Sequence, residues 1–399
     1  MVKLKNSLMA DSSTLLYVSD LILISEDGVT DISIFHPYML GIKNPSQIYK
    51  EAHTGTYAMM RLKGDDTVNH ALNSRLERES SWTRKSSSVV EADKIFKDIV
   101  TAQNITLPVL ETPKEREALI NKTKKEANKT VNSDTLKSWN NRVKQLTFQG
   151  DFANLLIEEE SNIGWKSIIN NIPKGVLSFA LKSSVNGLNT PDNLKRWGIR
   201  KLDKCDICGN FANLEHVLNW CKTALDQGRF TWRHDSILSH LAIEMKKAKP
   251  DNITLYFDIP GHKINGGTIP ADILTTLERP DIVIINRSEK KIVLFELTVS
   301  FEKNADAANL RKSTKYVDLS SDINKNGWQV ECVPFEIGSR GHINNRNRKN
   351  IFETLKKHKI HITKKQMLQD LCKISLLCSF SIFQAHCQPV WQSPPYLHP

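Results

Sequence analysis

Two sets of residues in this chain have types and spacings suited to metal chemistry. The first is Cys205-x2-Cys208-x7-His216-x4-Cys221. Thiolates and imidazole are soft donors, and four at this range close a tetrahedral Zn2+ shell. With every position filled by protein, none is left open for substrate, so the expected Zn2+ is structural. A reduced cluster without metal is the alternative. The second set follows about sixty residues later: Arg279-Pro280-Asp281, then fourteen residues, then Glu296-Leu297-Thr298. Asp281 and Glu296 are hard donors and suit Mg2+, which takes one or two carboxylates and completes its octahedron with water and phosphate oxygens. Such an ion polarises a phosphate and lowers the pKa of an attacking water.

The two carboxylates act together only if the chain brings them together. Asp281 to Asn286 and Lys291 to Val299 are apolar and rich in β-branched residues, with polar Arg287-Ser288-Glu289-Lys290 between them. That pattern predicts a β-hairpin. With the turn centred between Ser288 and Glu289, residue i faces residue 577−i, which sets Asp281 opposite Glu296. Opposed residues share a face with Cβ atoms about 5 Å apart, a span one divalent cation bridges. The competing reading is a strand glutamate neutralised by Arg279.

Other elements must position these groups. Ser133 or Asp134 is placed to cap a helix carrying Leu136, Trp139, Val143 and Leu146. Trp165 to Ile172 reads as an apolar-faced turn stopped at Pro173, and Val176 to Leu181 as helix or strand. Gly228 to Lys249 is one amphipathic helix with Trp232, Ile237, Leu241 and Met245 along one side. From Ile253 to Ile337 the pattern changes to strands with one helix, and Trp328 to Pro334 is a further core strand. Asn304 to Ser321 has helical spacing, with Lys312 and Lys315 one turn apart. In the N-terminal third, Leu15 to Ile24 suggests a strand, Asn44 to Leu62 and Asp93 to Val100 suggest helices, and Ser80 to Val89 a polar loop. Thr112 to Thr130 holds six Lys/Arg and reads as a solvated basic helix. The fold class expected is α+β and multidomain: a helical N-terminal and linker region with the knuckle, then an α/β core.

Across 399 residues, 55 Lys+Arg against 44 Asp+Glu give a net charge of +11. A basic balance favours a polyanionic partner, because each neutralised phosphate releases a condensed counterion. Seven cysteines, three of them in the knuckle, argue for thiolate ligands in a reducing compartment over a disulfide framework. No run approaches the ~20 apolar residues that span a bilayer, and the N-terminus lacks a signal-peptide pattern. A soluble intracellular protein is expected.

The flanks of the knuckle carry a resemblance. Asn189-Thr190-Pro191-Asp192-Asn193-Leu194-x-x-Trp197-Gly198, then the Cys/His array, then Arg229-Phe230-x-Trp232-Arg233-His234-Asp235, closely resembles the region after the thumb in reverse transcriptases of non-LTR retrotransposons. It is most similar to elements with a C-terminal restriction-like endonuclease, from about Trp139 to Ile360. The resemblance implies a knuckle that helps hold template RNA or target DNA, and a nuclear location. The carboxylate pair resembles the PD-(D/E)xK nuclease core, in which a Lys follows two residues after the Glu. Here Thr298 stands at that position and supplies no charge. Glu296 to Val299, the downstream Glu302 and Lys312-x-x-Lys315-Tyr316 match the signature of these nucleases, which implies a lysine relocated to Lys312 or Lys315. Glu302 then either adds a ligand or favours the helix N-terminus.

The implied organisation is a thumb or linker remnant over 1–132, a helical linker with the knuckle over 133–227, a restriction-endonuclease-like domain over 228–362, and a helix and tail over 363–399. Asp235 or Glu244 is a candidate third carboxylate. Arg229, Arg233, Arg340, Arg346, Arg348 and Lys349 are candidate phosphate contacts. The paired aspartates Asp65-Asp66 lack the setting of a polymerase palm, so no DNA synthesis is expected. The implied activity is Mg2+-dependent nicking of target DNA by a protein that also binds retroelement RNA. The alternative is a catalytically inactive or domesticated zinc-knuckle nucleic-acid-binding protein. A metabolic enzyme with a chance knuckle is remote, since no Gly-rich phosphate loop is present.

Overall fold

The computed structural model describes residues 30–63, 65–81, 87–106, 112–146, 148–160 and 164–397. The strand expected over Leu15 to Ile24 lies outside them. The chain divides into two units. Of the described residues, one unit takes those of Phe35–Pro37 and Gly41–Gln145, and the other those of 30–34, Tyr38–Leu40 and from Leu146 onward.

The first unit is helical: α1 Pro45–Lys63, α2 Asp66–Ser81, α3 Ser88–Ala102 and α4 Pro113–Lys144. Its core gathers Tyr57, Ala58, Leu62, Val89, Ala92 and Phe96. Asp65 accepts from the Val68 amide at 3.0 Å, so the paired aspartates start a helix. Thr112 and Glu115 form a reciprocal capping box with Pro113 in the first turn, which begins α4. That helix runs through Ser133 and Asp134, correcting the cap predicted there. No Gly or Pro interrupts it, and Thr123, Ala127, Val131, Trp139 and Val143 bury one continuous stripe.

The second unit holds α5 Asp151–Glu158, α6 Lys174–Ser184, α7 Arg229–Ala248, β1 Ile253–Phe257, β2 Ile282–Asn286 and β3 Lys291–Ser300. It continues with α8 Ala305–Lys315, α9 Val317–Lys325, β4 Gln329–Gly338, α10 Asn345–Lys357 and α11 Lys364–Gln384. The architecture is mixed α+β. The sheet order is β1-β2-β3-β4, antiparallel except for β3–β4, which the α8–α9 crossover makes parallel.

Every residue of β2 is buried. Val283, Ile285, Ile292 and Leu294 pack on one face with Tyr316, Leu319 and Ile323. Ile282, Phe295, Leu297 and Phe335 gather on the other around Met245 of α7 and Ile351 and Leu355 of α10. Each such side chain contributes about 1.5–3 kcal/mol on burial. The single helix expected over Asn304 to Ser321 is divided at Tyr316, whose ring enters the core. Among the described residues no helix is long and apolar enough to cross a membrane.

Beyond β4 the chain is fixed by a buried ion pair. Glu302 accepts from the Arg340 amide at 2.6 Å and from its Nε at 2.7 Å. The guanidinium lies 4.0 Å from the Phe152 ring centre and 4.4 Å from that of Phe301. A Cβ on Gly338 would overlap the Glu302 carboxylate. Removing one member of a buried pair strands the other charge, at a cost of about 3–5 kcal/mol. Arg340→Ala is expected to lose that much in urea denaturation, and Gly338→Ala to weaken the same pair. Wild-type midpoints for both would refute the assignment.

Candidate functional site

The Cys/His array folds as two facing turns. Lys204 bridges Phe211, and the Cys205 amide donates to Asn210 O at 2.7 Å, closing the loop that carries Cys205 and Cys208. Gly209 sits there at φ +74°, a conformation that favours glycine. His216 to Trp220 is one π-helical turn, and the Cys221 amide donates to His216 O at 2.9 Å. This i→i+5 bond brings His216 and Cys221 to one side, which accounts for their spacing. The Asn213 side chain accepts from the His216 amide at 2.8 Å.

The four ligand atoms lie within 4.8 Å of one another. Cys205 Sγ is 3.9 Å from Cys221 Sγ, and Cys208 Sγ is 3.3 Å from His216 Nε2. A regular zinc tetrahedron has edges of about 3.5–3.8 Å, so the donor set can hold a metal such as zinc. Burial pushes the Cys221 thiol up to about 12; a bound cation would reverse that preference.

The carboxylates stand on the hairpin. Ile282 pairs with Phe295 and Asn286 with Lys291, the predicted register of 577−i. Extended one step, it sets Asp281 opposite Glu296. Both are buried. Asp281 Oδ2 accepts from the Leu297 amide at 2.7 Å. Glu296 Oε1 accepts from Lys312 at 2.5 Å and Lys315 at 2.8 Å, while Oε2 accepts from the Tyr316 hydroxyl at 2.7 Å. Burial raises the Glu296 pKa, but Lys312, Lys315 and Tyr316 outweigh it and hold the carboxyl below its ordinary value. Tyr316 moves the other way: burial first, then Glu296 and Asp281, drive its phenol far up. Of the two carboxylates, only Glu296 is bonded to that hydroxyl; Asp281 is held by the Leu297 amide. Arg279 is turned away to Asp258, at 2.6 Å, so it does not neutralise Glu296.

Several predicted site residues are placed elsewhere. Arg229 and Arg233 are 0% and 1% exposed. Arg229 donates to the carbonyls of Ala385 and Gln388, and Arg233 to Ser379. With Arg340 held by Glu302, these three are internal struts and not phosphate contacts. Lone arginines on an amphipathic helix look alike in sequence whether they face water or a returning C-terminal tail. Glu302 stands in the first turn of the short 3-10 helix Glu302–Asn304 that leads into α8, and its carboxylate is engaged by Arg340. Arg346 is exposed and pairs with Asp306 at 2.9 Å; Arg348 is half-buried and donates to Ile343 O at 2.6 Å; Lys349 is exposed. Glu244 pairs with Lys247 at 2.7 Å.

Asp235 reaches the carboxylates through a residue to which the sequence pattern gave no role. His234 lies 3.0 Å from Asp235 Oδ1 through Nδ1 and 3.3 Å from Asp281 Oδ2 through Nε2. The His-Asp step next to Arg233 was the available signal. Burial disfavours the imidazolium, yet Asp235 and Asp281 push its pKa up to about 10. A folded value above the ordinary 6.5 means the stabilisation is full below about 6.5 and is lost as pH rises toward 10. The melting-temperature gap between wild type and His234→Gln should therefore be widest near pH 6 and narrow by pH 10. A gap that does not vary with pH would exclude a charged His234.

Tyr316 was likewise visible in the Lys-x-x-Lys-Tyr run but unassigned; its ring anchors the core while its hydroxyl orients Glu296. These contacts link α7, the residue before β2, β3, and α8 with the Tyr316 that follows it; the Cys/His cluster is separate. No family model and no curated protein matches the chain.

Proposed function

We propose that this is a retrotransposon-derived nucleic-acid-binding protein with a Mg2+-dependent DNA endonuclease centre on a restriction-endonuclease-like sheet. Its Cys/His cluster would carry a structural Zn2+, and it would nick target DNA and bind retroelement RNA in the nucleus without a polymerase core. One observation carries the reading: two helix lysines converge on the strand Glu296, and the strand-end Asp281, one register step beyond the paired residues, is held by the amide of Leu297 next to it. The donor set, two hard carboxylates sharing one hairpin, fits Mg2+. Asp281 and Glu296 would hold it, and when bound it polarises the scissile phosphate and lowers the pKa of the attacking water.

The chain's own residues account for the rest. Thr298 cannot supply an ammonium, but Lys312 and Lys315 bring two to Glu296 Oε1. Two cations on one carboxylate leave local positive charge that attracts a phosphodiester, and either ammonium can orient the water. Tyr316 fixes Oε2, and His234 with the Leu297 amide fixes Asp281. In-line attack of water at phosphorus with cleavage of the P–O3′ bond would give a 5′-phosphate and, once the leaving oxygen takes a proton, a 3′-hydroxyl suited to priming DNA synthesis.

The inactive reading is favoured by Thr298 alone, whose buried hydroxyl has no hydrogen-bond partner where the resembling nucleases carry Lys. Conversion of supercoiled plasmid to open circle with Mg2+ tests the proposal. Salt-dependent nucleic-acid binding with no Mg2+-dependent nicking would select the inactive reading instead.

A further inference from the structure

We propose that a cleft beside the knuckle takes the unpaired bases of a single-stranded nucleic acid. The inference deepens the nucleic-acid part of the reading above and does not need the cleavage chemistry. The cleft has a volume of about 520 Å³ and is lined by Phe148, Phe211 and Arg196, with Asp192, Lys195 and Asp203. That is the size range of small-molecule sites. Phe148 and Phe211 are 41% and 52% exposed, and Trp197 next to Arg196 is 43% exposed. Large apolar rings left in water around one concavity mark a surface that something covers.

Charge selects the occupant. Lys195 pairs with Asp203 at 2.7 Å, and Thr190 donates to Asp192, so both acids lining the cleft are already engaged. Arg196 has no carboxylate partner among the described residues. Its guanidinium instead lies 4.1 Å from the Phe148 ring centre. A flat cation on a flat ring is a stacking platform for a nucleobase. Lys201 and Lys204 are exposed and form no ion pair among the described residues, so they remain for phosphates. An acidic or apolar peptide would leave the stacked guanidinium without a matching plane. A duplex hides its base faces and offers nothing to insert, so single strands are favoured.

The cleft is also held in shape. Asn193 donates to Asn186 O at 2.7 Å and to Leu188 O at 2.8 Å, and the Asp192 amide donates to Ala212 O at 3.2 Å. The turn carrying Arg196 is thereby tied to the loop carrying Phe211, and Phe211 pairs with Lys204 beside Cys205. Part of the Asn189–Gly198 motif thus serves to join platform and knuckle.

Fluorescence anisotropy with a short fluorescein-labelled oligo(dT), and with the same strand annealed to its complement, tests this without added Mg2+. Phe148→Ala and Phe211→Ala, both at exposed positions, are each expected to weaken single-strand binding about tenfold, leaving duplex binding and plasmid nicking as in wild type. Loss of nicking in wild type alone would remove the nuclease and leave this site standing. Equal single-strand affinity in wild type and both variants would overturn the proposal, as would parallel loss on the duplex. A concentration-dependent dimer broken by the same variants would assign the face to a second copy of the chain and overturn it too.

Discussion

Glu296→Gln is expected to lower Mg2+-dependent nicking of supercoiled plasmid by about a hundredfold or more, the scale seen when one charge-stabilising group is removed from a reacting centre. The amide oxygen keeps an acceptor for Lys312 and Lys315, and its NH2 can donate to the Tyr316 hydroxyl, which must then turn its own proton elsewhere; the charge a hard cation requires is lost. Folding should survive, because the side chains of Lys312 and Lys315 are 20% and 40% exposed and their ammoniums reach water. Glu296 itself is buried, so neutralising it costs more than the ~1 kcal/mol of an exposed pair and less than the ~3–5 kcal/mol of a pair buried at both ends. Asp281→Asn should behave alike, with the Leu297 amide still held. Lys312→Met and Lys315→Met distinguish the two ammoniums. If one serves alone, a single variant matches Glu296→Gln; if they share the task, only the double variant does. Nicking at the wild-type rate by both carboxylate variants would remove the pair from any mechanism.

The hairpin could be read from sequence because its information is local. A four-residue polar turn between two β-branched runs fixes the register, and the register fixes the opposition of Asp281 and Glu296. The knuckle was legible for the same reason, since its ligands span seventeen residues. What escaped depends on contacts between distant segments. Arg229 and Arg233 are internal because the tail after α11 returns to α7: Trp232 donates to Pro394 O at 2.8 Å and stacks edge-on with Trp391. Nothing near residue 230 announces a tail 160 residues on. His234 gains its partners only where α7 meets the start of β2. The α4 boundary failed differently. Ser and Asp favour helix starts, but that local preference yields to an uninterrupted buried stripe.

Loss of the Cys/His cluster should reach well beyond the cluster. The protein expressed with zinc is expected to hold one Zn2+ per chain, and Cys221→Ser to lose it. Metal binding at such sites is itself folding free energy, about 10–16 kcal/mol in isolated zinc fingers. Here part of the turn is independently packed, with Val217 and Leu218 buried, so a fraction of that loss should appear. A loss of about 3–5 kcal/mol lowers melting by about 10 °C, at roughly 2–4 °C per kcal/mol for a unit of this size. The turn between His216 and Cys221 also holds the sheet. Asn219 donates to Val299 O at 2.9 Å near the end of β3, and Glu215 accepts from Lys303 and Asn304, each at 2.6 Å, just before α8. These bonds flank the strand bearing Glu296 and the helix bearing Lys312 and Lys315. Chelation should therefore speed hydrogen exchange at Val299 to Asn304 and reduce nicking, though the carboxylates contact no thiolate. Zinc content by mass spectrometry, with melting and exchange on the same sample, decides it. A chain that purifies without zinc, or that exchanges identically with and without it, would confine the cluster to a local role or none.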